Sequence, residues 1–383
     1  MKKDEDALNE QMSFFLGKAK DFVDDFSKYF VHEMSVIPAR VKHTTWMDMF
    51  PSYRFEILMD PEELPATGLT KSETVYEEGH VVLKRCITED KITKKTPILF
   101  IYALINKPYI LDLRPGNSIV EFFKKEGYDV YVIDWGLPVP EDKFITFDYY
   151  IDGYINSCVD TVREISKTDS INIFGWCMGA NFAAIYAPLY PEKVKNLATL
   201  TLPMDANSGG LLSLWASDEV FHLDKVISLY GNMPAKLIRY SVISIYPFRE
   251  MRKNVNFYSN MENKAFVEAY SLAEKWLNDN IDIPGLVFKK YIRDIFQTTN
   301  LLDGKMVIGD RCVDLKNIKC PLLNLAAEED NLVPIASSKA LNEHVSSKDN
   351  EFVVLPGGHV SFAYDPKAQQ YWKKTSDWFS QRD

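Results

Sequence analysis

From residue 97 to residue 203, short apolar runs alternate with helix-forming stretches, and no other feature constrains the architecture as tightly. PILFIYAL has the unbroken apolarity of a buried strand, SIVEFFKKEG (118–127) reads as a helix with a glycine stop, and YDVYVIDW (128–135) is the next strand. YYIDGYINSCVDTVREISK (149–167) follows as a helix and SINIFG as a strand. MGANFAAIYAPLY (178–190) is a helix closed before Pro191, and VKNLATLTLP (194–203) is another strand. Strands without polar alternation, separated by helices, imply a mostly parallel sheet covered on both faces. They are too few, and too unevenly spaced, for a (β/α) barrel.

The flanks differ. ETVYEE and HVVLKRCI carry a period-two pattern and read as paired edge strands. Between about 207 and 307 the strand rhythm gives way to helical segments rich in aromatics and methionine, and strands resume with CPLLNLAAEED (320–330) and EFVVLPGGH (351–359). A final helix covers KAQQYWKKTSDWFSQ. The expected organisation is an α/β core over 71–206 and 308–383, a helical cap inserted over 207–307, and an N-terminal helical and irregular segment over 1–70. Within that segment 8–34 has the pattern of an amphipathic helix bearing Phe14, Phe15, Phe22, Phe26 and Phe30, suited to covering the domain or receiving a partner. PSYRFEILMDPEELPATGLT (51–70) reads as an irregular connector.

A net charge of -10 argues against a dedicated nucleic-acid binder, which needs a positive stripe to meet phosphates. The cysteines are Cys86, Cys158, Cys177, Cys312 and Cys320. Their odd number and the lack of a C-x-x-C pair disfavour a disulfide framework or structural zinc, and a reducing compartment fits. No metal or cofactor is expected. MKKDEDALNEQMSFF lacks the apolar stretch of a signal peptide. PILFIYALI (97–105) is about half as long as a membrane span, so a soluble or peripheral protein is expected.

The chemistry centres on FGWCMGAN (174–181). In G-x-C-x-G the nucleophile would occupy a sharp strand-to-helix turn, with Gly175 and Gly179 letting strand and helix come close. The Met178 N–H, at the helix start, would face an oxyanion, and the same helix terminus favours a thiolate. Downstream, Asp330 follows one strand and His359, in a GGH turn, follows the last. The order nucleophile, acid, histidine is that of an α/β-hydrolase topology, with Glu328 and Glu329 as lower-ranked substitutes for Asp330. A second oxyanion donor is expected from YALINKP (102–108), from the backbone N–H of Leu104 or Ile105. Asn106 and Asp112 are candidates to pin that loop, and Asp134 is at least as readily structural.

YALINKPYILDLRPGNSIVEFFKKEGYDVYVIDWG, GWCMGAN and EEDNLVP…GGH resemble segments of the polyhydroxyalkanoate synthases, in particular the catalytic subunit of the short two-subunit type. The resemblance covers about residues 50–380 and is specific, since lipases of this fold use serine. It implies Cys177 as the acylated nucleophile, His359 as general base and Asp330 as its partner. It implies (R)-3-hydroxyacyl-coenzyme A as substrate, short acyl units foremost, and a polyester with free coenzyme A as products. It further implies a homodimer or higher oligomer with a small non-catalytic subunit, in the cytoplasm at the surface of polymer granules. Ser361 departs from the glycine common in the family and removes no catalytic group.

Thioester exchange onto Cys177 is nearly isoenergetic, so the acyl group stays activated until a 3-hydroxyl, deprotonated by His359, attacks it. The helical insertion would exclude water as a lid. Its aromatics Trp215, Phe221, Tyr230, Tyr246, Phe248 and Trp276 give it an apolar character, although helical spacing of aromatics fits core packing better than substrate contact. Arg249, Arg252, Lys253, Lys289, Lys290 and Arg293 are candidate contacts for coenzyme A phosphates, each more readily a solvated charge. A cysteine-dependent thioesterase or dienelactone-type hydrolase is the main alternative, followed by a depolymerase and a non-enzymatic granule scaffold.

Overall fold

The computed structural model describes residues 64, 66–87, 91–245, 247–364 and 367–383, with the backbone alone for 245 and 247–252. The amphipathic stretch 8–34 and most of the connector 51–70 lie outside the described residues.

Eight strands form the central sheet: β1 (Ser72–Glu78), β2 (Val81–Cys86), β3 (Ile98–Ile101), β4 (Val130–Asp134), β5 (Ile171–Trp176), β6 (Val194–Leu200), β7 (Leu322–Ala327) and β8 (Asn350–Leu355). Their order in the sheet is β1-β2-β4-β3-β5-β6-β7-β8. From β4 to β8 every pairing is parallel, while β1–β2 and β2–β4 are antiparallel. Composition follows position. β3 (ILFI) and β5 (INIFGW) are buried at every residue, as central strands with helices on both faces must be. β1 carries glutamates on an exposed edge, which blunts pairing with other chains. Only β1 is an edge strand there, since β4 covers β2.

Helices α1 (Ile119–Lys125), α2 (Asn156–Ser166) and α3 (Met178–Leu189) cross between the parallel strands. α1 starts on a Ser118 cap that accepts the Glu121 N–H at 3.0 Å, and it ends on Lys124 and Lys125, which complement its dipole. The stretch read as one helix over 149–167 contains a π-helical turn over Tyr150–Ile155 before α2. Between β6 and β7 come α4 (Gly210–Ala216), α5 (Leu223–Tyr230), α6 (Ala235–Ile245), α7 (Pro247–Asn260), α8 (Lys264–Asn278) and α9 (Gly285–Tyr291), with a second π-helical turn over Ile292–Gln297. α10 (Ile335–His344) and α11 (Ala368–Ser380) complete the core. No helix among the described residues is long and apolar enough to cross a membrane.

The strand order reverses between β3 and β5, since the chain leaves β3 for β4 on one side and returns to β5 on the other. In open parallel sheets the crevice beyond the carboxyl ends at such a point is where ligands bind. Here it is bounded by the loop after β3 (102–107) and the turn after β5 that carries Cys177.

α3 enters this crevice against the sheet with no space to spare. A Cβ on Gly179 would lie 2.0 Å from the Ile101 carbonyl oxygen, and one on Gly175 would lie 2.6 Å from Ala180 Cα. Both obstacles are backbone. Gly179→Ala should therefore lower unfolding stability by at least about 3 kcal/mol in urea titration. Gly116→Ala, at φ 76° with nothing within 4 Å of the added carbon, should cost only about 1 kcal/mol. Equal losses would contradict this packing.

Candidate active site

Cys177 is one of three non-glycine residues with positive φ among the described residues, at φ 54° and ψ −122°. That conformation turns strand into helix within one residue, and its N–H is held by the Leu200 carbonyl at 2.9 Å. The side chain is half-buried beyond the end of β5. The next N–H, of Met178, opens α3 and has no carbonyl within the helix to receive it.

His359 sits in the turn after β8 and is hydrogen-bonded to the Cys177 side chain. Its Nδ1 lies 2.7 Å from Asp330 Oδ2. The turn is pinned by Ser361, whose Oγ accepts the Gly358 N–H at 2.8 Å while its own N–H donates to the Gly358 carbonyl at 3.0 Å. Asp330 is aimed in turn by the backbone, its Oδ1 accepting the N–H groups of Leu332 (2.9 Å) and Val333 (3.0 Å). The Asp330 side chain is fully buried and that of His359 is 10% exposed. Glu328 and Glu329 both point to solvent, and their N–H groups hold the carbonyls of Leu355 and Gly357.

Burial opposes a charge on His359, but the Asp330 carboxylate and the Cys177 sulfur outweigh it and push the imidazole up to about 10. His359 is thus a strong acceptor for the proton of the residue it faces. Because its pKa rises on folding, the charged pair stabilises the fold fully below about pH 6.5, the free histidine value, and this contribution fades as pH rises through 10.

The loop after β3 is fixed through its carbonyls. Tyr102 accepts the Trp135 indole N–H at 2.9 Å, Ile105 accepts the Ile281 N–H at 2.9 Å, and Lys107 accepts the Trp276 indole N–H at 3.0 Å. Leu104 is fully buried within it. Asn106 pairs with Asn280, and Asp112 accepts from the backbone N–H (2.7 Å) and hydroxyl (2.9 Å) of Thr70, so both anchor this region. Asp134 is bound to Lys84 at 2.7 Å and to the Gly136 N–H at 3.1 Å, a structural role.

Sequence reading missed three residues here. Tyr102 and Tyr291 are buried, and burial, with the nearby Cys177 sulfur adding to it, holds both phenols well above the ordinary tyrosine range. Asn181, one turn beyond Cys177, links Tyr291 to α3. Only its place in GWCMGAN could have drawn notice. The candidate phosphate contacts are largely neutralised: Lys289 and Arg293 both pair with Asp224, Lys290 lies 3.3 Å from Asp294, and Lys253 lies 2.7 Å from Glu274. The side chains of Arg249 and Arg252 lie outside the described residues. A cavity of about 580 Å³ beside Asp205 and His344, and one of about 430 Å³ beside Lys84 and Asp112, are both lined without Cys177 or His359.

Fold and family comparisons agree with this geometry. A model of the alpha/beta hydrolase fold matches residues 96–366, and BpoC of Mycobacterium tuberculosis H37Rv superposes with a TM-score of 0.51 at 13% identity, over 80% of this chain and all of that one. The molecule is an α/β-hydrolase-fold protein. A second model, the N-terminus of poly-beta-hydroxybutyrate polymerase (PhaC), matches residues 68–123. The chain is 38% identical to the poly(3-hydroxyalkanoate) polymerase subunit PhaC of Thiocystis violacea over 79% of its length and 86% of the relative's. It is 36% identical to that of Allochromatium vinosum, over 82% of its length and 89% of the relative's. The Haloferax mediterranei subunit is also 36% identical, over 83% of this chain, which spans 65% of that longer protein. The chain belongs to the PhaC family of polyhydroxyalkanoate polymerase subunits and is an enzyme of the acyltransferase type.

The contacts of His359 carry a direct expectation. In His359→Gln, alkylation of Cys177 by iodoacetamide at pH 7 should slow by at least about tenfold, because the acceptor for its proton is gone. An unchanged rate, read by mass spectrometry of the Cys177 peptide, would separate the two residues chemically.

Proposed function

We propose that the chain polymerises (R)-3-hydroxyacyl-coenzyme A, with short acyl units such as 3-hydroxybutyryl foremost, through a covalent thioester on Cys177. The observation that carries this reading is the placement of Cys177 at the strained turn, hydrogen-bonded to a histidine that a buried carboxylate orients.

His359 takes the Cys177 proton, as its raised pKa allows, and the resulting thiolate attacks the thioester carbonyl carbon. The resulting oxyanion faces the Met178 N–H and an N–H of the 102–107 loop, from Leu104 or Ile105. Collapse breaks the bond to coenzyme A, whose thiolate leaves with the proton held by His359. In the second half-reaction His359 removes the proton of a 3-hydroxyl, its oxygen attacks the acyl-cysteine carbonyl, and the Cys177 sulfur departs and is reprotonated. One ester bond forms for each thioester consumed. A cysteine suits this cycle because the first transfer exchanges like for like. Asp330 supports the imidazolium in both halves, as its 2.7 Å contact with Nδ1 allows.

Water would intercept each acyl intermediate, and helices α4–α9 are the natural screen. They are tied to the loop after β3 through Ile281 and Trp276, and a Lys107–Asp279 ion pair at 2.8 Å adds to this. The family resemblance supports a small companion subunit, an oligomeric assembly and attachment to polymer granules in the cytoplasm. The thioesterase alternative uses the same three residues with water as acceptor.

Purified chain supplied with (R)-3-hydroxybutyryl-coenzyme A, alone and with a coexpressed companion, should release coenzyme A and yield solvent-extractable polyester. Cys177→Ala should reduce both by at least about a thousandfold. Coenzyme A release with only soluble hydroxy acid would make the chain a thioesterase, and no release in either preparation would remove the acyl-coenzyme A reading.

A further inference from the structure

Asn181 is fully buried on α3, and its backbone N–H reaches the Cys177 carbonyl at 3.3 Å. Its Nδ2 donates to the Pro203 carbonyl at 2.7 Å, and its Oδ1 accepts from the Tyr291 hydroxyl at 3.0 Å. The direction of this chain is forced. A backbone carbonyl can only accept, so the amide must turn its NH₂ toward Pro203. Its oxygen then faces Tyr291, and the phenol must donate. The single phenolic proton is committed, and what Tyr291 offers to any other group is an acceptor lone pair.

That oxygen is placed close to the chemistry. The side chain of a helical residue leans toward the helix start, so Asn181 holds the phenol toward the N-terminal end of α3, beside the capping residue Cys177, whose sulfur is near enough to act on the phenol. Tyr291 is only 6% exposed, and its ring packs edge-on against Phe296 at 5.7 Å. It is also the last residue of α9 before the π-helical turn Ile292–Gln297. Such turns shift the register of a helix face and recur at functional sites. A cap helix that merely covered the crevice would do so better with phenylalanine, which leaves no polar group to satisfy.

The geometry points to Tyr291 as a specificity-determining residue: its oxygen accepts a hydrogen bond from the 3-hydroxyl of the acyl group joined to Cys177, so the site favours hydroxyacyl over unsubstituted acyl groups. This rests on the reading of Cys177 as the acyl acceptor. The phenol keeps its proton throughout, as its burial beside Cys177 requires, and Asn181 fixes which way it points.

The test compares single-turnover coenzyme A release from (R)-3-hydroxybutyryl-coenzyme A and from butyryl-coenzyme A, in the parent chain and in Tyr291→Phe. The parent should prefer the hydroxyacyl thioester, and the variant should lose about tenfold on it while keeping its butyryl rate within about twofold. Asn181→Ala provides a second variant should Tyr291→Phe fold poorly. It leaves the phenol in place but removes the amide that fixes which way it points, and it should weaken the same preference by at least about threefold. Equal losses on both thioesters would mark the pair as structural and overturn the inference. A parent that takes both at equal rates would overturn it while leaving the acyl-cysteine reading intact, whereas a parent acylated by neither would overturn that reading as well.

Discussion

A cysteine held at φ 54° and ψ −122° is the constraint on which the rest of the site depends. For a residue with a side chain this backbone state costs about 1–3 kcal/mol and persists only where its surroundings leave no alternative. Here the surroundings are β5 behind it and α3 ahead, brought together through two glycines whose missing side chains would collide with backbone atoms. Relaxing the turn would require pulling α3 off the sheet, where nearly all its residues are buried. The strain is therefore maintained by the core, and its product is a thiol presented beyond the end of β5 beside the first N–H of a helix.

The rest of the site is assembled on strand ends that converge on the same point. The reversal of strand order opens a crevice between β3 and β5, and the turns after β7 and β8 bring Asp330 and His359 to its side. Each member is oriented by backbone groups: two N–H groups aim the carboxylate, and the Gly358–Ser361 turn fixes the histidine. Burial alone would keep His359 neutral. It is the buried carboxylate on one side and sulfur on the other that invert this, and they do so in a place where water screens little.

Much of this was legible in the sequence because the decisive signals are local. Unbroken apolar runs such as ILFI marked the parallel strands, and the G-x-C-x-G turn, the acid after one strand and the histidine after the last marked the three residues that meet. What escaped depends on contacts across the chain. That β2 is an inner strand follows from its pairing with β4, some fifty residues away. The π-helical turns leave the apolar pattern of a helix intact and so look like ordinary helix. The cations proposed for phosphate contact look free in sequence, yet Asp224, distant in the chain, takes two of them. Tyr291 and Asn181 stand 110 residues apart, and no spacing rule joins them.

The whole site turns on whether the acyl group is carried by Cys177. Rapid quenching of the chain with (R)-3-hydroxybutyryl-coenzyme A, followed by intact-protein and peptide mass spectrometry, addresses this directly. The prediction is an added hydroxyacyl mass located on the peptide containing Cys177, sensitive to hydroxylamine as a thioester should be, and appearing before any polymer. Polymer or coenzyme A formed at full rate with that peptide unmodified, or the acyl mass on another residue, would contradict it.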